Sequence, residues 1–197
     1  MLRPYPISFL QFGMFWLVVA VGAVALLRAF ARRSGERETG ARRSRLSTVG
    51  IALQGVGFGS TGFGPIHIAL PWSAPSSIIC SLLVALLGGS AVGIFIAATR
   101  AMGKNWSVVA RTRSDHQLVR SGPFAVVRHP IYLALLLYLL SFGIAFGHFR
   151  QLAIALPFYL AGGMIRIRVE ESLLRAQFGE EHARYVRDVP AFIPFTR

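Results

Sequence analysis

Apolar residues run almost unbroken over positions 7–30, 76–98, 130–146 and 152–169, and a weaker, glycine-studded run covers 46–70. The strong runs are close to the roughly 20 residues that a helix needs to cross a bilayer. They are continuous rather than alternating, which excludes the pattern of a membrane β-barrel strand. The expected fold is all-α: a polytopic membrane protein of about five transmembrane helices. Between the runs, the turns at Pro71 and Gly147 carry little charge, whereas the loops at 32–45 and 100–127 and the tail from 170 onward are rich in arginine. The positive-inside bias then places the N-terminus outside and the C-terminus in the cytoplasm. One domain is expected, with three N-terminal helices over 1–99 and a second half over 100–197.

Composition agrees with this class. The chain has 197 residues, 54% hydrophobic and only 15% charged, less charge than soluble domains usually carry. The formal net charge of +13 would suit nucleic acid, but the arginines flank hydrophobic runs, where they meet anionic lipid headgroups instead. No nucleic-acid partner is expected. Arginine outweighs lysine so strongly that a bacterial inner membrane is the expected location. The first run is too long for a signal-peptide core and its charges flank the wrong side, so it reads as a retained helix. Cys80, the only cysteine, lies in an apolar run and reads as an inert buried thiol. The glycines at 55, 57, 59, 62 and 64 lack the preceding strand that a phosphate-binding loop requires. They read as small residues that let helices approach closely, or as a helix break.

Two polar clusters break the hydrophobic pattern. The first is the stretch 122–132, containing Gly122, Pro123, Phe124, Arg128, His129, Pro130, Ile131 and Tyr132. Proline suits the first turn of a helix, and the backbone N–H groups and dipole there favour an anion, with Arg128 and His129 as further donors. Tyr132 adds a ring and a hydroxyl. The second cluster, at the far end of the following hairpin, holds Arg166, Arg168, Glu170 and Glu171. Arg166 and Glu170 are four apart and share a helix face. A carboxylate at membrane depth is a functional candidate, although a salt bridge to Arg128 would also account for it. A ligand that uses both an anion pocket and a carboxylate is zwitterionic, which many ligands satisfy. Metal-ligand spacing is absent, so no metal is expected.

The residues Trp106, Ser107, His116, Gln117, Leu118, Val119, Gly122, Pro123, Phe124, Arg128 to Tyr132, Arg166, Glu170, Glu171, Phe178 to Glu181, Tyr185, Val189 and Pro190 resemble, in order and spacing, the isoprenylcysteine carboxyl methyltransferase family and the related membrane phospholipid methyltransferases. The resemblance covers roughly the C-terminal half. It implies S-adenosylmethionine as cofactor, held by His116, Gln117, Leu118, Val119, Phe124, His129, Pro130, Ile131, Tyr132 and Glu170. It implies Arg166 at the methyl acceptor, with Arg128 and Glu170 as further catalytic candidates. The acceptor would be lipophilic and reach the site from the bilayer among the membrane lipids. Two positions depart from the family pattern: Phe124 and His182 stand where tyrosine is common. The rival readings are a membrane sterol reductase using NADPH, which shares an Arg-His-Pro-like element, and a non-catalytic membrane protein.

Overall fold

A computed structural model of the chain describes residues 4–31, 45–103 and 118–192. Five α-helices appear in it: α1 (Phe9–Ala31), α2 (Arg45–Gly62), α3 (Pro75–Met102), α4 (Pro130–Ala145) and α5 (Phe149–Asp188), with a 3-10 turn (Gly122–Ala125) before α4. Among the described residues there is no strand, only an isolated parallel bridge between Ile7 and Ile68.

Three of these helices, α1, α3 and α5, are long and apolar enough to cross a membrane. Helix α4 is apolar but has only 16 residues. Helix α2 ends at Gly62 rather than near 70, because Gly64 takes a φ of +137° and Pro65 follows. The burial pattern is that of a membrane protein. Phe9, Trp16, Leu27, Leu82 and Leu86 point outward, while small polar side chains sit inside. The Ser141 hydroxyl donates to Val84 O at 3.1 Å, and the Ser77 hydroxyl donates to that of Ser8. In lipid, a polar group gains by facing another helix instead of hydrocarbon.

Two seams organise the bundle. Phe15 of α1 stacks on Phe142 of α4 with ring centroids 5.3 Å apart, and Val84 of α3 is buried in the same cluster. The second seam joins α2 and α5 through glycine. A Cβ on Gly162 would stand 2.5 Å from Gly50 O, and one on Gly57 would stand 2.9 Å from Ala155 O. Of the glycines singled out in the sequence, Gly57 lies in this seam and Gly62 packs on Phe142, Gly55 and Gly59 face open space, and Gly64 lies at the break after the helix.

Helix α5 is longer than its hydrophobic run. It passes Pro157, leaves the membrane-like stretch, and continues through the polar tail to Asp188, with non-helical angles at Gly179 (φ 48°). Good helix formers such as Glu171, Leu173, Leu174, Arg175 and Ala176 continue the apolar run without a break. The distance along the axis from Phe149 to Glu170 is about 32 Å at 1.5 Å per residue, close to the roughly 30 Å of a hydrocarbon core.

Candidate active site

The site assembles where α4 begins. Gly122 has a φ of 62°, a left-handed conformation that glycine adopts without strain. It opens the 3-10 turn that lays Phe124 into the interior, where it is buried. Pro130 then starts α4. The stretch between them is held by the end of the chain. Arg128 N donates to Pro190 O at 2.9 Å and His129 N to Ala191 O at 3.0 Å. The Tyr185 hydroxyl donates to Phe124 O at 2.6 Å. The tail thus folds back as a strap over residues 124–129.

The two adjacent carboxylates of α5 reach this stretch with different partners. Glu170 accepts a hydrogen bond from the Tyr132 hydroxyl, and its other oxygen lies 3.4 Å from His129 Nδ1. Glu171 Oε1 accepts from Arg128 Nε at 2.8 Å and lies 2.9 Å from His129 Nε2. Its second oxygen is 3.2 Å from His182 Nε2. His129 therefore stands between two carboxylates while only 5% exposed. Burial pulls its pKa down, but hydrogen bonds and charge from Glu170 and Glu171 outweigh this and hold it above the usual histidine value.

Arg128 is largely satisfied by the protein. Besides Glu171, it donates through Nη1 to Val186 O at 3.1 Å and to Val189 O. Its guanidinium ties the strap to α5, and the salt bridge foreseen between Arg128 and the carboxylates is the geometry found. Arg166 is placed differently. Its guanidinium carbon sits 4.9 Å over the Tyr132 ring, and Nη1 donates to Gln54 Oε1 of α2 at 3.0 Å.

Of the residues foreseen at the cofactor, Leu118, Val119 and Phe124 line one cavity of about 60 Å³ together with Met102, Arg128, Glu171 and Tyr185. His129, Tyr132 and Glu170 meet next to it. Pro130 is buried and Ile131 half-buried in the first turn of α4. His116 and Gln117, like Trp106 and Ser107, lie outside the described residues. Three residues with a place in the cluster are given no function by the sequence reading. Gln54 holds Arg166, and the Tyr159 hydroxyl donates to Tyr132 O. His182, set aside as a departure without function, is buried against Glu171. A glutamine within an apolar run was the one available signal for Gln54.

Comparisons with known proteins give three matches named for isoprenylcysteine methylation and one named for metal resistance. Residues 82–176 match the isoprenylcysteine carboxyl methyltransferase (ICMT) family. The chain is 33% identical over 105 residues, 52% of its length and 48% of the relative's, to the cobalt-zinc-cadmium resistance protein CzcN of Cupriavidus metallidurans. It is 33% identical over 88 residues, 44% of its length and 37% of the relative's, to the protein-S-isoprenylcysteine O-methyltransferase of Schizosaccharomyces pombe. The chain thus spans about half or less of the length of these curated relatives. Among solved structures it superposes on a eukaryotic intramembrane Ras methyltransferase ICMT with a TM-score of 0.60 at 25% identity, covering 94% of this chain and 66% of that one. Together these matches support assigning the segment 82–176 to the isoprenylcysteine carboxyl methyltransferase family.

Proposed function

We propose that this chain is an integral membrane methyltransferase that uses S-adenosylmethionine to methylate a lipophilic acceptor drawn from the bilayer. The first acceptor to consider is the carboxylate of an isoprenylcysteine, the group in the name of the yeast relative. The single observation that carries the reading is the return of Glu170 to Tyr132 beside His129, within one helical turn of Arg166 on the same face of α5.

The residues present suit such a cofactor. The apolar wall of Leu118, Val119 and Phe124 adjoins the carboxylate pair, so an apolar ring and a cationic group have adjacent places. The described cavity admits only part of that ligand, and His116 and Gln117 of the preceding segment supply the rest in this reading. When bound, the cofactor supplies a methyl group on a sulfonium, an electrophile already activated by its charge. Glu170, kept in place by Tyr132 and His129, offers a carboxylate to a cationic group. Arg166 offers its guanidinium to an acceptor oxyanion, a charge-assisted interaction that also orients it. A carboxylate acceptor is already deprotonated and needs no base, so orientation carries most of the work. An amine acceptor would require proton removal, a role open to Glu170 or Glu171. The arginine-rich loops favour a five-span topology with the site on the cytoplasmic side, with α2 and α4 crossing as the shorter members.

Calorimetry on detergent-purified protein with S-adenosylmethionine, S-adenosylhomocysteine and NADPH tests the cofactor. Binding of the two adenosyl compounds and not of NADPH is expected, and the opposite result would establish the reductase reading. Glu170→Gln is expected to weaken S-adenosylhomocysteine binding at least tenfold. An unchanged affinity removes Glu170 from the pocket. Transfer of a radiolabelled methyl group into N-acetyl-S-farnesylcysteine and into lipid extracts identifies the acceptor.

A further inference from the structure

Helix α2 lies outside the segment that matches the family, yet it supports Arg166 at two points. The stem of Arg166 lies over Gly50, where an added Cβ would stand 2.5 Å from Arg166 Cγ. Its head donates to Gln54 Oε1 at 3.0 Å. Both contacts depend on the close approach of α2 and α5, since Gly162 passes so near that a Cβ there would meet Gln54 N and Cγ at 3.0 Å. Gln54 is 5% exposed. A guanidinium only donates, so the amide oxygen must face Arg166, and this fixes the amide orientation. The face of the guanidinium is set by Tyr132, and Tyr132 is itself fixed by Glu170 and by Tyr159.

We propose that Gln54 is a positioning residue: through its amide oxygen, α2 sets where the Arg166 guanidinium meets the methyl acceptor. The assignment rests on the methyltransferase reading above and extends the working site to a helix outside the matched segment. An arginine on a flexible stem presents a planar fork that must be oriented to bind an oxyanion with two bonds. A misplacement of about 1 Å costs on the order of a hundredfold in rate when orientation is the main contribution. Gln54 supplies that orientation at one edge, Tyr132 at the face and Gly50 along the stem.

The test uses full-length protein, radiolabelled S-adenosylmethionine and N-acetyl-S-farnesylcysteine. Gln54→Met is expected to lower kcat/KM for the acceptor at least tenfold while leaving S-adenosylhomocysteine affinity within twofold of wild type. A role confined to folding would shift cofactor affinity and thermal stability together. In an Arg166→Lys background the same substitution is expected to cost less than twofold, because contributions made through a shared partner do not add. Wild-type kcat/KM in Gln54→Met, or a full tenfold loss repeated in the Arg166→Lys background, overturns the proposal. Should Gln54→Met not fold, Gln54→Glu keeps an oxygen facing Arg166 but neutralises the guanidinium. It is expected to fold and to lose at least tenfold in turnover of this anionic acceptor, and full turnover would overturn the proposal. Absence of transfer by the wild type would instead refute the proposed reaction, and this assignment with it.

Discussion

The two ends of the helical bundle solve the same problem with different chemistry. Helix ends leave unpaired backbone groups that need partners. At the α4–α5 turn, mainly uncharged groups provide them. The buried His148 places Nδ1 2.8 Å from Thr61 O and Nε2 3.1 Å from Pro65 O. Tyr5 N donates to Gly147 O at 3.0 Å, and Ile7 N to His67 O at 2.9 Å. At the opposite end, backbone pairing with Pro190 and Ala191 already closes the strap. Yet Arg128, His129, Arg166, Glu170 and Glu171 are gathered there as well. Closing a helix end does not require these charged contacts. That excess supports the proposal that this end handles a ligand while the first end serves as scaffold.

Removing one charge from the polar end is expected to have the largest effect on stability. The side chains of Arg128 and Glu171 are only 11% and 17% exposed. Arg128→Met would leave the partly buried Glu171 carboxylate with only His129 and His182 beside it, and two strap carbonyls without the guanidinium donor. Breaking such a pair costs about 3–5 kcal/mol. Chemical unfolding in detergent micelles measures it, and a loss below about 1 kcal/mol would mean that the strap is held by its backbone bonds alone.

At the scaffold end, His148→Phe removes ring contacts to Thr61 O and Pro65 O, of which a neutral imidazole donates to one, without removing a charge pair. Leaving buried polar groups unsatisfied costs about 1–3 kcal/mol each. Unfolding of the variant is expected to show a loss in that range, with S-adenosylhomocysteine affinity unchanged. A drop in that affinity would end the division between scaffold end and ligand end, since the two lie about a bilayer thickness apart.

How far each end could be read in the sequence follows the same division. The apolar runs located the helices, because their length and continuity are set by the bilayer. Both polar clusters stood out because charge is expensive there. Partners within the clusters were less visible. That Glu170 takes Tyr132 while Glu171 takes Arg128 depends on the rotation of α5 about its axis, which adjacent residues cannot report. The polar tail continuing as α5 to Asp188 was hidden because its hydrophobicity stops near 169 while its helix propensity does not. Gln54 was obscured by the glycines around it. Their role in letting α2 approach α5 is what brings its amide to Arg166, and that is a fact of packing rather than of pattern.

The smallest effect expected is on pH dependence, and it sharpens the comparison because only the charged end should show it. His129 has its pKa raised in the folded protein by Glu170 and Glu171 against the opposing effect of burial. A raised folded value means that the protonated form is favoured by folding. Its contribution is then complete below the unfolded value of about 6.5 and disappears as pH rises through the folded value. The unfolding midpoint of wild type should therefore exceed that of His129→Gln most at pH 6 and by a shrinking margin toward pH 9. A margin that grows with pH would mean that His129 is held neutral between the two carboxylates, and the charged character assigned to this end would then rest on Arg128, Arg166 and the carboxylates alone.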